Sequence, residues 1–369
     1  MNAVDRYRGL HLACRTIGGD VRQAQAHDWL SASTAARDHG LGGALAAVLA
    51  RSDANRLGVP DGALRELGRV RRATAARALR MRKQAVAVVS TLNEAGIEPL
   101  VMKGALLLLT DALPDLGMRV AADLDLVIPG AQWSKACAAL EQAGYAATPG
   151  RPFLHPHELP FVHADAVAPV ELHRSLGGTR IDDVLAVGDA WVSATGERGH
   201  AVCFHALSPT HQVVHNIAHA QLQDLNYGVL GVPVRQLHTF ALLIELHDGR
   251  IDWDEVSTRF AGAGAVGALD AHLALGRLLF AAPVPRLSGP RSRRAEARAR
   301  LALALLASGP VSDMTRNVRH ALGAEYLDSL YHHGHQPVAL ARARAQHLWR
   351  TGRGLGRRGA AAAVTRPSR

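Results

Sequence analysis

Cysteine, lysine, aromatic residues and long apolar runs are all scarce in this sequence of 369 residues. The three cysteines, Cys14, Cys137 and Cys203, are far apart and odd in number, which fits neither a disulfide framework nor a paired-cysteine metal site. We expect them to be buried apolar residues. No apolar run reaches the roughly 18 residues that a membrane helix needs, and the amino terminus lacks the basic and then apolar plan of a secretory signal. These absences predict a globular, cytoplasmic protein without a disulfide scaffold.

Positive charge is abundant but unevenly distributed. The net charge is +10, and arginine supplies nearly all of the cations, since the chain has only three lysines. Eight arginines and no acidic residue lie between positions 338 and 369, so this tail alone carries +8. We expect the tail to be a disordered end that makes only weak contact with polyanions. The alternative is a nucleic-acid-binding arm, which predicts a steep salt dependence of binding that truncation after residue 337 abolishes.

Hydrophobic periodicity divides the chain into four parts. Apolar residues at spacings of three and four predict a helical amino-terminal region over residues 1–93 and a helical carboxy-terminal domain over residues 207–285. Between them, alternating strand and helix patterns predict a compact core over residues 94–206. Residues 286–369 are predicted to form a basic helical extension that ends in the Arg-rich tail. The predicted fold class is α+β, with a small mixed sheet flanked by helical regions.

Two aspartates interrupt an apolar strand in the segment ADLDLVI, residues 122–128. Because side chains alternate along a strand, Asp123 and Asp125 point to one side, and Leu124 and Leu126 point to the other. Two adjacent carboxylates repel each other, and a divalent metal ion is the commonest compensation. Salt bridges to the many arginines, or solvation at a sheet edge, are the alternatives.

A second strand carries the further acidic residue that a two-metal site requires. The segment VELH places Glu171 and His173 on one face of this strand. Asp123, Asp125 and Glu171 would form a three-carboxylate cluster that holds two Mg²⁺ ions about 3.5–4 Å apart, as phosphoryl and nucleotidyl transfer need. His173 is predicted to contact the nucleotide or the acceptor, with a hydrogen-bonded structural role as the alternative.

Cationic residues lie close to these carboxylates in the sequence. Lys103 and Gly104 form a predicted turn after the strand IEPLVM, residues 97–102, where backbone N–H groups and the Lys103 ammonium are available to bind phosphate. Arg119 lies four residues before Asp123, where its guanidinium would neutralise a leaving pyrophosphate. The alternative for Lys103 and Arg119 is that both are ordinary surface cations.

The ordered set of Lys-Gly, Arg-x-x-x-Asp-x-Asp and Glu-x-His resembles the uncharacterised nucleotidyltransferase family of the DNA polymerase β-like superfamily. The similarity runs from about residue 21 to 286 and includes flanking segments such as DWLSASTAARDHGL and IDWDEV. It implies a polymerase β-like catalytic core at residues 94–206. The resemblance also implies that the metal ligands are Asp123, Asp125 and Glu171. The nucleotide contacts that it implies are Lys103, Gly104 and Arg119.

Two positions depart from the pattern of these relatives. Ala105 stands where the wider superfamily has serine, so the hydroxyl group of the phosphate-binding turn is missing. Thr239 lies near a position where relatives often carry an acidic residue. The first departure concerns how the triphosphate is held, and the second concerns an accessory role at that position.

These motifs predict a metal-dependent nucleotidyltransferase that moves NMP, with AMP as the expected group, from an NTP to an acceptor. The acceptor would be a hydroxyl or phosphate group on a small molecule, a peptide or RNA. The expected cofactor is Mg²⁺, with two ions bound, and Mn²⁺ would also suit the carboxylates. The alternatives are a toxin-type nucleotidyltransferase that acts on RNA and a catalytically degenerate scaffold that binds nucleotide.

Histidines form two further groups in the sequence. His211, His215 and His219 recur every fourth residue, so they would lie on one helix face, which is compatible with a zinc site. No cysteine or acidic residue has a matching spacing, and packing of this face on the core is the interpretation we favour. The segment HHGH at residues 332–335 has less support as a metal site.

Overall fold

The computed structural model describes residues 3–148, 158–308 and 338–346. The chain divides into two compact units, residues 1–308 and residues 309–369. In the second unit, the described residues 338–346 form a helix. The HHGH segment and most of the Arg-rich tail lie outside the described residues.

The first unit contains one mixed sheet. Its strands are β1 (Leu100–Val101), β2 (Leu124–Val127), β3 (Ala146–Ala147), β4 (Glu158–Val162), β5 (Val170–His173), β6 (Thr195–Gly199) and β7 (Val202–Ala206). Their spatial order is β3-β4-β5-β2-β1-β7-β6, with β2 parallel to β5, β1 parallel to β7, and the other neighbours antiparallel. The predicted α+β class is confirmed.

Helices flank this sheet in sequence and in space. They are α1 (Ala3–Ile17), α2 (Ala26–Asp38), α3 (Gly42–Ala50), α4 (Asp61–Glu94), α5 (Lys103–Leu109), α6 (Trp133–Gln142), α7 (Thr179–Asp182), α8 (Val187–Val192), α9 (Pro209–Ala218), α10 (Asn226–Val229), α11 (Val234–Leu246), α12 (Trp253–Gly262), α13 (Val266–Phe280) and α14 (Gly289–Ala307). The predicted turn at Lys103 and Gly104 is instead the start of α5.

The two faces of the central strands lie in two different cores. Leu124 and Leu126 of β2 pack in a core with α4, α5 and α6, whereas Val127 packs in a second core with residues of α9 and α11 to α13. Asp125 shares the face of Val127, because residues two apart on a strand point the same way. The alternation in ADLDLVI therefore directs Asp125 toward the carboxy-terminal helices, and all four residues of β2 are buried.

A third core joins helices from opposite ends of the first unit. Trp29 of α2 and Leu45 of α3 are fully buried in one cluster with Leu279 of α13 and Leu303 of α14. Long-range packing of this kind has no local signature in the sequence. The predicted domain boundaries stay predictions, but the amino-terminal and carboxy-terminal helices share this core.

All three cysteines are free thiols. Cys14 is buried, as expected, and Cys137 and Cys203 are half-buried. Burial raises the pKa of Cys14 and of Cys137, so neither thiol is activated as a nucleophile.

Helix α3 fixes the turn that precedes Arg119 by direct backbone contact. A Cβ atom at Gly43 would overlap the carbonyl oxygen of Gly117, which belongs to a 3-10 turn over Leu116–Met118. Asp115 caps this turn by accepting a hydrogen bond of 2.7 Å from Gly117 N, and the Arg71 guanidinium donates to Asp115 at 2.7 Å. The amino-terminal helices thus determine where the chain enters the Arg119 segment.

Replacement of Gly43 by alanine is expected to lower the free energy of unfolding by about 1–3 kcal/mol, because the added methyl group forces α3 and the turn apart. Urea denaturation monitored by circular dichroism measures the change. The matched control is Gly62→Ala in α4, where a Cβ atom meets nothing within 4 Å, so alanine there is expected to be neutral or stabilising. Equal stability of the two variants would contradict the close contact.

Candidate active site

A buried carboxylate held by a lysine and a histidine lies at the centre of the site. Asp125 in β2 is fully buried. Its Oδ1 accepts a hydrogen bond of 2.8 Å from Lys103 Nζ and lies 3.1 Å from His173 Nε2. Its Oδ2 is buried with no hydrogen-bond partner among the described residues. A buried carboxylate oxygen without a partner is costly, so this oxygen is suited to an external positive ligand.

The two aspartates titrate in opposite directions. Burial alone would raise the pKa of Asp125, but the charges and hydrogen bonds of Lys103 and His173 lower that pKa well below its usual range. The pKa of Asp123 is raised, first by burial and then by the negative charge of Asp125, and Lys103 and Arg119 offset only part of this rise. The first negative charge of the pair therefore resides on Asp125, and a second one is opposed by repulsion.

Strand β5 brings the third carboxylate alongside. Asp125 is the register partner of Glu171 in the parallel β2–β5 pair, so both side chains emerge on one face. His173 Nε2 lies 3.9 Å from Glu171 Oε2, and ligand atoms of Asp125, Glu171 and His173 all lie within 4.8 Å of one another. The predicted ligand set was Asp123, Asp125 and Glu171. The cluster in the structure contains His173 in place of Asp123, which lies just before β2.

Lys103 reaches Asp125 from a strained backbone conformation. Its φ is +52°, in the left-handed region that lysine rarely adopts. Such strain costs of order 1–3 kcal/mol and is concentrated at functional sites. The next residue, Gly104, leaves room for the Arg119 guanidinium, because a Cβ atom there would overlap Arg119 Nη1 and lie 3.0 Å from the Ala121 Cβ.

Arg119 is positioned by the carboxy-terminal helix α11. Its Nε donates a hydrogen bond of 3.2 Å to Thr239 Oγ1, and Thr239 in turn donates to the Arg235 carbonyl at 3.1 Å. Burial lowers the pKa of Arg119, and the nearby charge of Arg235 lowers it further, while Asp123 and Asp125 raise it. Two guanidinium groups close enough to repel each other favour an anion between them.

These groups line one cavity of about 390 Å³. Its sheet side is formed by the start of α5, the segment from Arg119 to Asp123, and Glu171, and its opposite side by α9 and α11. Gly40 and Leu41, which connect α2 to α3, close one edge. Of the predicted site residues, those that line the cavity are Lys103, Gly104, Arg119, Asp123 and Glu171. Asp125 and His173 lie behind this surface and are buried.

The family model of the uncharacterised nucleotidyltransferases matches residues 25–281, which includes the whole cavity. The chain belongs to the uncharacterised nucleotidyltransferase family. The predicted resemblance is thereby confirmed, and the protein is a nucleotidyltransferase, a transferase of phosphorus-containing groups. Comparison with curated proteins and with solved structures finds no match. Among the described residues, none of the helices combines the length and apolar composition that a membrane span requires.

The three histidines spaced by four residues, His211 and His215 in α9 and His219 just after it, have different partners. His211 Nδ1 lies 2.7 Å from Ser193 Oγ, and its Nε2 lies 2.9 Å from Glu255 Oε1. His215 Nε2 lies 2.9 Å from the Leu176 carbonyl oxygen, and His219 is 3.4 Å from Asp224. Among the described residues these histidines do not form a metal cluster. Packing on the core explains His211 and His215, as expected, but His215 and His219 also line the cavity of this nucleotidyltransferase.

Several cavity residues had no motif to identify them in the sequence. They come from α9 and α11: Asn216, Arg235 and His238. The nearest signal was the four-residue spacing of His211, His215 and His219, of which His215 and His219 line the cavity. Ala105 of α5, by contrast, is fully buried in the apolar core and does not line the cavity. A serine hydroxyl at this position would therefore lie in the apolar core.

Lys103→Met is expected to lower the free energy of unfolding by about 3 kcal/mol in metal-free buffer, because it leaves the buried Asp125 charge with His173 as its remaining partner. Chemical denaturation at neutral pH measures this difference. The matched control is Lys83→Met, since Lys83 is exposed on α4. If both variants unfold at the same denaturant concentration, Lys103 does not stabilise the buried charge.

Proposed function

We propose that this nucleotidyltransferase uses a divalent cation to move the NMP of an NTP, with AMP as the expected group, to an acceptor hydroxyl or phosphate. The acceptor would be carried by a small molecule, a peptide or RNA. The observation that supports this most is the buried Asp125 carboxylate, whose Oδ2 has no hydrogen-bond partner among the described residues, beside two cavity-lining carboxylates and three cations.

The residues at the carboxylate cluster fit a divalent cation. Asp123, Asp125 and Glu171 offer oxygen ligands, which Mg²⁺ prefers, and His173 would also suit Mn²⁺. The raised pKa of Asp123 shows that the cluster resists a second negative charge in the absence of a cation. When bound, one or two such ions would supply Lewis acidity and charge neutralisation at the transferred phosphate.

Three cationic side chains are suited to the triphosphate. Lys103, Arg119 and Arg235 all line the cavity, and the Arg235 charge lowers the pKa of Arg119. A polyanion between these groups would relieve their repulsion and form charge-assisted hydrogen bonds. The acceptor proton would pass to a carboxylate at the cavity surface, Asp123 or Glu171, because Asp125 is buried behind them.

Replacement of Asp125 by asparagine is expected to remove Mg²⁺-dependent binding of α,β-methylene-ATP, weakening it at least about tenfold, because a bound cation loses a carboxylate ligand. Isothermal titration with and without Mg²⁺ measures the effect. Asp123→Asn is also expected to weaken the Mg²⁺-dependent binding of this analogue. The control is Asp248→Asn, since Asp248 is exposed after α11.

Equal Mg²⁺-dependent affinity in the wild type and in both aspartate variants would rule out the proposed metal site. Mg²⁺-dependent binding without pyrophosphate release in the presence of any tested acceptor would favour a nucleotide-binding scaffold instead.

Gly104→Ala is expected to weaken binding of inorganic tripolyphosphate several-fold, because the added methyl group displaces the Arg119 guanidinium. The free energy of unfolding should change by less than about 1 kcal/mol, since the end of an arginine side chain can move. Titration calorimetry and urea denaturation give the two values. Gly188→Ala is the control, as a Cβ atom there meets nothing within 4 Å. If the tripolyphosphate affinity is unchanged, Arg119 does not contribute to phosphate binding.

A further inference from the structure

The wall of the cavity formed by α9 and α11 carries Arg235 near the start of α11 and two buried histidines, His215 and His238. Burial and the charge of Lys103 lower the pKa of His215 to about 3. Burial and the charge of Arg119 lower the pKa of His238 to about 4. Both imidazoles are therefore uncharged at neutral pH, so they favour a neutral group rather than a phosphate.

Two polar atoms on this wall are buried and lack hydrogen bonds. Within the described residues, Asn216 Oδ1 and His238 Nε2 have no hydrogen-bond partner. Both residues line the cavity, from α9 and α11 respectively, and His238 is almost fully buried. Native proteins satisfy the large majority of such groups, and each exception costs about 1–3 kcal/mol. Two exceptions beside one cavity indicate hydrogen-bonding capacity kept for a ligand.

Apolar side chains line the same cavity as these two atoms. Leu106 and Met102 line the cavity from the segment around Lys103, and Leu207 and Leu243 line it near α9 and α11. Apolar side chains beside neutral polar groups are the usual environment for a flat heteroaromatic ring with a hydrogen-bonding edge.

We propose that the α9–α11 wall binds the nucleobase of the donor NTP, and that Asn216 accepts a hydrogen bond from an exocyclic amino group of that base. This inference rests on the proposed function, because it places the base in the same cavity as the triphosphate. Helix α11 links the proposed base site to the proposed phosphate site. His238 precedes Thr239 in this helix, and the Thr239 hydroxyl accepts the hydrogen bond from Arg119. An exocyclic amino group such as that of adenine would donate a hydrogen bond to the unpartnered oxygen of Asn216.

The test compares three probes by isothermal titration in Mg²⁺: α,β-methylene-ATP, the same analogue of purine riboside triphosphate, and inorganic tripolyphosphate. The purine riboside analogue lacks only the amino group. The wild type is expected to prefer the ATP analogue over the purine riboside analogue by about tenfold, the value of one hydrogen bond. Asn216→Ala should lose this preference while it keeps the wild-type affinity for tripolyphosphate.

Controls separate the nucleobase site from folding and from the phosphate site. Asn55→Ala, at an exposed asparagine, should retain the preference. His238→Gln should weaken both nucleotide analogues several-fold and leave tripolyphosphate unchanged, which guards against a folding defect specific to Asn216→Ala. Urea denaturation checks that each variant is folded.

Two results would overturn the inference, and they are distinguishable. If the wild type binds the two nucleotide analogues equally, or Asn216→Ala keeps the preference, the base assignment is wrong while the proposed function stands. If the wild type binds neither nucleotide nor tripolyphosphate with Mg²⁺, the proposed function fails and the base assignment fails with it.

Discussion

The buried negative charge of Asp125 is the constraint on which the rest of the site depends. Removing a carboxylate from water costs several kcal/mol unless nearby cations and hydrogen bonds compensate, and here Lys103 and His173 do so. That requirement is consistent with the strained backbone at Lys103. The register of β2 with β5 brings Glu171 alongside, which adds a second carboxylate to the site. The compensation is incomplete, because Asp125 Oδ2 has no partner among the described residues.

The helical regions on both sides of the sheet are structural parts of the cavity. Gly43 of α3 contacts the turn at Gly117, which leads into Arg119, and Thr239 of α11 accepts a hydrogen bond from the Arg119 side chain. Because α2 and α3 share a core with α13 and α14, the position of Arg119 depends on helices that are far apart in the sequence. If Arg119 binds phosphate, as the proposed function requires, an arginine held in this way needs little reorganisation when the ligand binds.

Strand alternation is a local rule, so the sequence predicted which side chains of β2 and of β5 share a face. The period of two placed Asp125 opposite Leu124 and Leu126, and the VELH segment placed Glu171 beside His173. The cavity wall opposite was not predictable, since Arg235, His238 and Asn216 reach the site through the tertiary packing of α9 and α11, which no local pattern encodes. The histidine spacing predicted one helix face, but His219 lies just after α9, and tertiary contacts gave each histidine different partners. The start of α5 at Lys103 was also missed, because a left-handed lysine has no sequence signal.

The central claim is that Asp125 and its neighbouring carboxylates bind a divalent cation together with a nucleotide. The most direct test is anomalous diffraction from a crystal grown with Mn²⁺ and α,β-methylene-ATP. We expect an anomalous peak in contact with the carboxylates of Asp123 and Asp125, with the triphosphate beside Lys103 and Arg119. A nucleotide-bound crystal without such a peak, in which Asp125 still contacts Lys103 and His173, would contradict the account.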